Sequence, residues 1–117
     1  MTRERALKIV LVIVGALFVA VIYPLVQLRE QPTLQMMLSV YVTLGFFLLI
    51  AARNPAAHRS LIAFGAWSSF AHAATMAIQS IGNVPERTHL LIGTLVFAAI
   101  GLALVFLAPA RVSTTAA

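Results

Sequence analysis

In a 117-residue chain without a single Cys or Asp, few side chains can do chemistry, and His72 is foremost among them. It sits inside an uncharged run, Ser60 to Pro85, with Gly65, Ser68, Thr75 and Gln79 at three- and four-residue steps around it. On a helix that spacing gathers them into one polar stripe. An imidazole can move a proton near neutral pH, ligate a metal or hydrogen-bond a ligand, and an ionisable group far from water is a functional candidate by default.

Depth matching names its partner. Tyr41 lies about as far from the middle of its own apolar run as His72 does from the middle of the next, on a segment running the opposite way. At about 1.5 Å of rise per residue the two come to similar depth, which predicts a Tyr41–His72 hydrogen bond. Met37 and Met76 fall one turn further along the same two faces, with Thr94, Tyr23 and Gln27 on the remaining segments and Glu30, Glu86 and His89 near the ends. Together they predict a small polar cleft. A plain hydrogen-bonded clasp between helices, worth about 0.6 to 2 kcal/mol per bond in a membrane, explains the same residues without any ligand. His72, Met37 and Met76 offer soft donors for copper(I), and Tyr41 with His72 can hold a quinone. A bis-His haem is disfavoured, because His58 and His89 lie near opposite ends. No cofactor or metal is assigned.

The elements that carry these residues follow from the charges. Eleven charged residues leave four uncharged stretches, Ile9–Leu28, Gln31–Ala52, Ser60–Pro85 and Thr88–Ala110, of 20, 22, 26 and 23 residues. A hydrocarbon core about 30 Å thick needs about 20 apolar residues per helix, so each is long enough to cross once. With 62% hydrophobic residues, the composition excludes a soluble enzyme, a nucleic-acid-binding domain and a disordered tail. The spans are expected at residues 7–28, 33–52, 55–81 and 85–108, with 112–117 a flexible tail and residues 1–117 one transmembrane domain. Pro24 should kink the end of the first, Pro32 open the second, Asn54 cap and Pro55 open the third, and Gly82-Asn83-Val84-Pro85 separate the third from the fourth. Connections this short make successive spans antiparallel neighbours, an all-α up-down-up-down bundle.

The net charge of +5 does not form a nucleic-acid patch. Arg3, Arg5, Lys8, Arg53, Arg59 and Arg111 fall on one side and only Arg29 and Arg87 on the other, which places both termini in the cytoplasm. The charged N-terminus and apolar run imitate a secretory signal, but the run is too long and lacks a cleavage site, so it reads as a retained span. All three Glu lie outside the four uncharged stretches, so no carboxylate is available for proton coupling in mid-membrane. The small residues of the third span predict the most buried helix, with Trp67 packed against small faces; Thr94, Ala98 and Gly101 predict a packing seam on the fourth. His58 and Arg59 are expected at lipid phosphates, and Arg29–Glu30 and Glu86–Arg87 as exposed pairs.

The run Arg53-Asn54-Pro55-Ala56-Ala57-His58-Arg59-Ser60-Leu61-Ile62-Ala63-Phe64, with Ala66-Trp67-Ser68-Ser69-Phe70-Ala71-His72-Ala73-Ala74, resembles a bacterial family of small four-span integral membrane proteins of unknown function. The resemblance covers about a fifth of the chain and implies the four-helix membrane fold but no activity. In size the chain is also similar to small multidrug exporters. Those depend on an acidic residue in their first span, and Ile9–Leu28 has none.

The resulting expectation is a non-enzymatic inner-membrane protein that binds a partner protein or a small apolar or cationic molecule around His72, with protonation of His72 biasing helix packing through Tyr41. Its ligand-binding set is His72, Tyr41, Ser68, Thr75, Gln79, Met37, Met76 and Thr94. Its partners are the lipid bilayer and a second copy or membrane protein, not nucleic acid. The alternatives are a metal- or quinone-binding redox subunit and a purely structural assembly subunit.

Overall fold

A computed structural model describes residues 2–27 and 31–109, so Leu28, Arg29, Glu30, Arg111 and the expected tail at 112–117 lie outside the described residues. The described chain is all-helical: α1 Arg3–Ala20, α2 Ile22–Gln27, α3 Pro32–Ala51, a 3-10 turn Pro55–His58, α4 Arg59–Gly82 and α5 Arg87–Leu107. Counting α1 with α2 and the 3-10 turn with α4, these form four rods, each long and apolar enough to cross a membrane. Large apolar side chains such as Ile13, Phe46, Ile78 and Leu95 point outward along all four. Water would penalise that surface; acyl chains would not.

Local chemistry sets the boundaries. The first helix starts four residues before its expected boundary because the Thr2 hydroxyl accepts from the Arg5 N–H at 3.1 Å. It breaks at Val21, three residues before Pro24, whose ring has no N–H to donate and would clash with the carbonyl of Ala20. Pro32 occupies the first turn of α3 as expected. Asn54 does not cap: no side-chain capping bond forms, Pro55 opens a 3-10 turn, and α4 begins only at Arg59. The Asn54 carbonyl is instead bonded by the Ala57 N–H at 3.1 Å and paired with His58 Nδ1 at 2.9 Å.

The rods pack as a ring, α1 on α3, α3 on α4, α4 on α5 and α5 on α1, so the third span, expected to be the most buried, is not enclosed by the others. The α1–α3 and α4–α5 seams are the closest, and glycine is the reason. A Cβ on Gly15 would lie 2.9 Å from the Gly45 carbonyl oxygen and one on Gly45 2.8 Å from that of Gly15. Across the other seam the Phe70 ring covers Gly101, leaving 2.7 Å for an added Cβ. The expected seam on the fourth span is thus used within the chain, against α4. Close backbone approach of this kind drives association where apolar lipid removes any hydrophobic gain.

The stripe that α4 buries is Ile62, Gly65, Ala66, Ser69, Ala73 and Ser80, offset from the expected one by about a residue. Trp67, expected against small faces, is 64% exposed and meets only the edge of Phe70 among aromatic neighbours, at 5.3 Å.

One end of the ring is closed by a continuous core that includes Leu7, Leu11, Leu48, Ile62 and Leu104. There Arg3 donates to the carbonyls of Phe106 at 2.8 Å and Ala108 at 3.0 Å, and Arg59 Nε to Pro109 at 3.0 Å. Two cations thereby close the C-terminal end of α5, where the helix dipole favours positive charge. Arg87 does the same for α4, donating to Ser80 and Ile81. Lys8–Glu4, at 3.7 Å, is the only ion pair among the described residues.

Candidate functional site

Where the core ends, each of the four rods contributes one ring. Phe18 from α1, Tyr41 from α3, His72 from α4 and Phe97 from α5 form a single aromatic layer. The Phe18 and Tyr41 centroids are 5.2 Å apart edge to face, and those of Tyr41 and His72 5.1 Å. Phe97 lies 4.1 Å from the His72 ring, tilted by 32°, and 5.9 Å from Phe18 in a stacked arrangement. Offset and edge-to-face pairs of this kind are worth about 0.5–1.5 kcal/mol each beyond their burial.

Within the layer the Tyr41 hydroxyl and His72 Nδ1 share a hydrogen bond at 2.9 Å, the pair expected from depth alone. The bond uses one ring nitrogen and leaves Nε2 for another partner. It also holds the imidazole edge-on to the tyrosine ring.

Above the layer the ring of helices opens into a cavity of about 650 Å³. Its floor is Phe18, Tyr41, His72 and Phe97, and its walls carry Val21 and Pro24, Leu34, Met37 and Leu38, Thr75, Met76 and Gln79, and His89, Leu90 and Gly93. The Met76 thioether lies against Gly93, in the space a side chain there would fill. Ligand sites in proteins run from about 300 to 1,000 Å³ and are mostly apolar with a few placed polar groups. This cavity has those proportions.

Six of the eight expected site residues meet here: His72, Tyr41, Thr75, Gln79, Met37 and Met76. Ser68 and Thr94 do not line the cavity. The Ser68 hydroxyl donates to the Gly65 carbonyl at 3.2 Å, and that of Thr94 to Leu90 at 2.8 Å, with Ala73 across the seam at 3.4 Å. A hydroxyl that bonds its own helix has no need to face the interior. Thr75, too, donates to Ala71, at 2.9 Å, so its hydroxyl is already engaged.

Of the outlying candidates, His89 lines the cavity whereas Tyr23, Gln27 and Glu86 do not, and Glu30 is outside the described residues. Phe18 and Phe97 carry neither a polar group nor sulfur, so side-chain chemistry alone passes over them. Both lie nine or ten residues from the edge of an uncharged stretch, as Tyr41 does, so depth matching applied to rings would have found them. For metal, no three His, Asp or Glu side chains gather among the described residues; the soft donors on the cavity are His72, His89, Met37 and Met76.

A family model described as a family of unknown function, DUF6632, matches residues 1–116. No curated protein and no solved structure matches the chain.

Proposed function

We propose, for a chain that belongs to the DUF6632 family of unknown function, that the cavity binds a small, uncharged, mostly apolar molecule bearing a hydrogen-bonding group. The observation that carries this is a hydrogen-bonded Tyr41–His72 pair at the floor of an otherwise largely apolar cavity. The ligand's polar group meets His72 Nε2 and its apolar body lies against Phe97, Met37 and Met76. A cation would find aromatic faces but, among the described lining residues, no carboxylate, and a charge without a counter-charge is costly at this depth.

In this reading the rods run up, down, up and down through the bacterial inner membrane, with both termini cytoplasmic. The reversal is supported by Gly15 lying against Gly45 and Leu49 while Gly45 lies against Phe18 and Val19. The orientation is supported by the six-to-two distribution of Lys and Arg.

The test is photolabelling of the purified protein in lipid nanodiscs with a diazirine-bearing octanol, mapped by mass spectrometry. Labels should concentrate on Met37, Met76 and Gly93. Replacing His72 with Ala should lower them about tenfold, the equivalent of ~1.4 kcal/mol, while Ser68→Ala leaves them unchanged. Labels spread evenly over outward-facing residues such as Ile78 and Leu95 would contradict the reading.

A second reading has one observation in its favour: two thioethers and two imidazoles line the same cavity, a donor set suited to a soft monovalent metal. Titration with silver(I) should then show binding that Met37→Leu with Met76→Leu removes. No binding by the unaltered protein would dismiss it.

A further inference from the structure

We infer that the cavity opens sideways to the bilayer, and that its ligand is a long-chain amphiphile with an uncharged hydroxyl or carbonyl head. The head sits at Tyr41–His72 and the tail leaves between α2 and α5. The inference rests on the binding reading above and adds to it the ligand class and the path of the tail.

The opening follows from Pro24. Before the break α1 packs against both α3 and α5 and closes the ring. Beyond it the chain keeps α3 and loses α5. The short α2 packs on α3, fastened where Gln35 Nε2 donates to the Leu25 carbonyl at 2.9 Å, and none of its Cα atoms comes within 8 Å of one in α5. No residue of α2 is buried. Among the described residues the wall between first and last rods is therefore closed beside the core and open beside the cavity.

Both edges of this gap belong to the cavity lining, Val21 and Pro24 on one side and Leu90, Gly93 and Phe97 on the other. Exposed apolar residues lie on both helices, among them Ile22 on α2 and Ile92 and Val96 on α5. On the cavity side of α5, Gly93 is covered by the flexible thioether of Met76, which reaches across from α4. A gap edged by apolar groups at hydrocarbon depth suits a methylene chain. It also frees the ligand's length from the cavity's volume, because the surplus stays in lipid. The head is uncharged for the reason already given, and it is a hydroxyl or carbonyl because a single imidazole nitrogen can pair with either, according to its tautomer.

The chain has no cysteine, so an introduced pair is the only pair. The variant Val21→Cys with Leu90→Cys, in nanodiscs, is closed with a bis-maleimide and labelled with diazirine-bearing hexadecanol or octanol. Before closure both probes should label Met37 and Met76. After closure hexadecanol labelling should fall at least about tenfold while octanol labelling holds within about twofold. Unchanged hexadecanol labelling, or an equal fall of both, overturns the inference. Octanol labelling without any hexadecanol labelling of the open protein also overturns it and leaves the binding reading standing; failure of both probes on the open protein removes the binding reading itself. Should the double variant not fold, Pro24→Ala, which removes the break, should show the same selective loss of hexadecanol.

Discussion

His72 and Tyr41 share a bond that depth alone made legible, since two residues equally far from the middle of opposed apolar runs must meet if both runs are helices. The hydroxyls were not legible in this way. Ser68, Thr75 and Thr94 all donate to carbonyls of their own helices, so spacing that would align them on a face says nothing about whether the face is inward. His72 lines the cavity, yet the stripe buried by its helix runs through Ser69 and Ala73 beside it. Tyr41→Phe keeps the ring and its contacts and removes the bond. It should lower the unfolding free energy by about 0.6–2 kcal/mol in a detergent-denaturation titration. Combined with His72→Ala it should show a non-zero coupling; strict additivity would mean that the pair contributes nothing jointly.

Among the elements, the glycine pair at the α1–α3 seam gives the sharpest contrast. Alanine is the better helix former by about 1 kcal/mol, so Gly82→Ala, where nothing lies within 4 Å of the added carbon, should be neutral to stabilising. Gly45→Ala places that carbon 2.8 Å from a backbone oxygen and 2.8 Å from a backbone nitrogen. It should instead destabilise by about 1–3 kcal/mol in the same titration. Arg3 shows what charge counting omits. Tallied as a topology signal, it is also the closure of α5, and Arg3→Ala should speed amide hydrogen exchange in the last turn of that helix, at a cost of about 0.3–1 kcal/mol. Such a bond spans more than a hundred residues, and no local pattern could announce it. The proline signals at 24, 32 and 55 were readable because proline acts on its own backbone. Asn54 was misjudged because capping depends on the next turn being α-helical, and here it is a 3-10 turn.

For the molecule as a whole, four rods long and apolar enough to cross a membrane were plain from eleven charges and their spacing. The division into a solid half and a hollow half was not. It arises because beyond the break before Pro24 the first rod keeps α3 and gives up α5, and a sequence shows a break without showing which contact it gives up. An aromatic layer with one ring from each rod then separates the two halves. The most direct measurement is a cryo-EM map of the protein in lipid nanodiscs. Elongated non-protein density is expected with one end on the Tyr41–His72 pair and the other passing between Ile22–Gln27 and α5. A map in which those two segments meet and the space above the four rings is filled by protein side chains would contradict it.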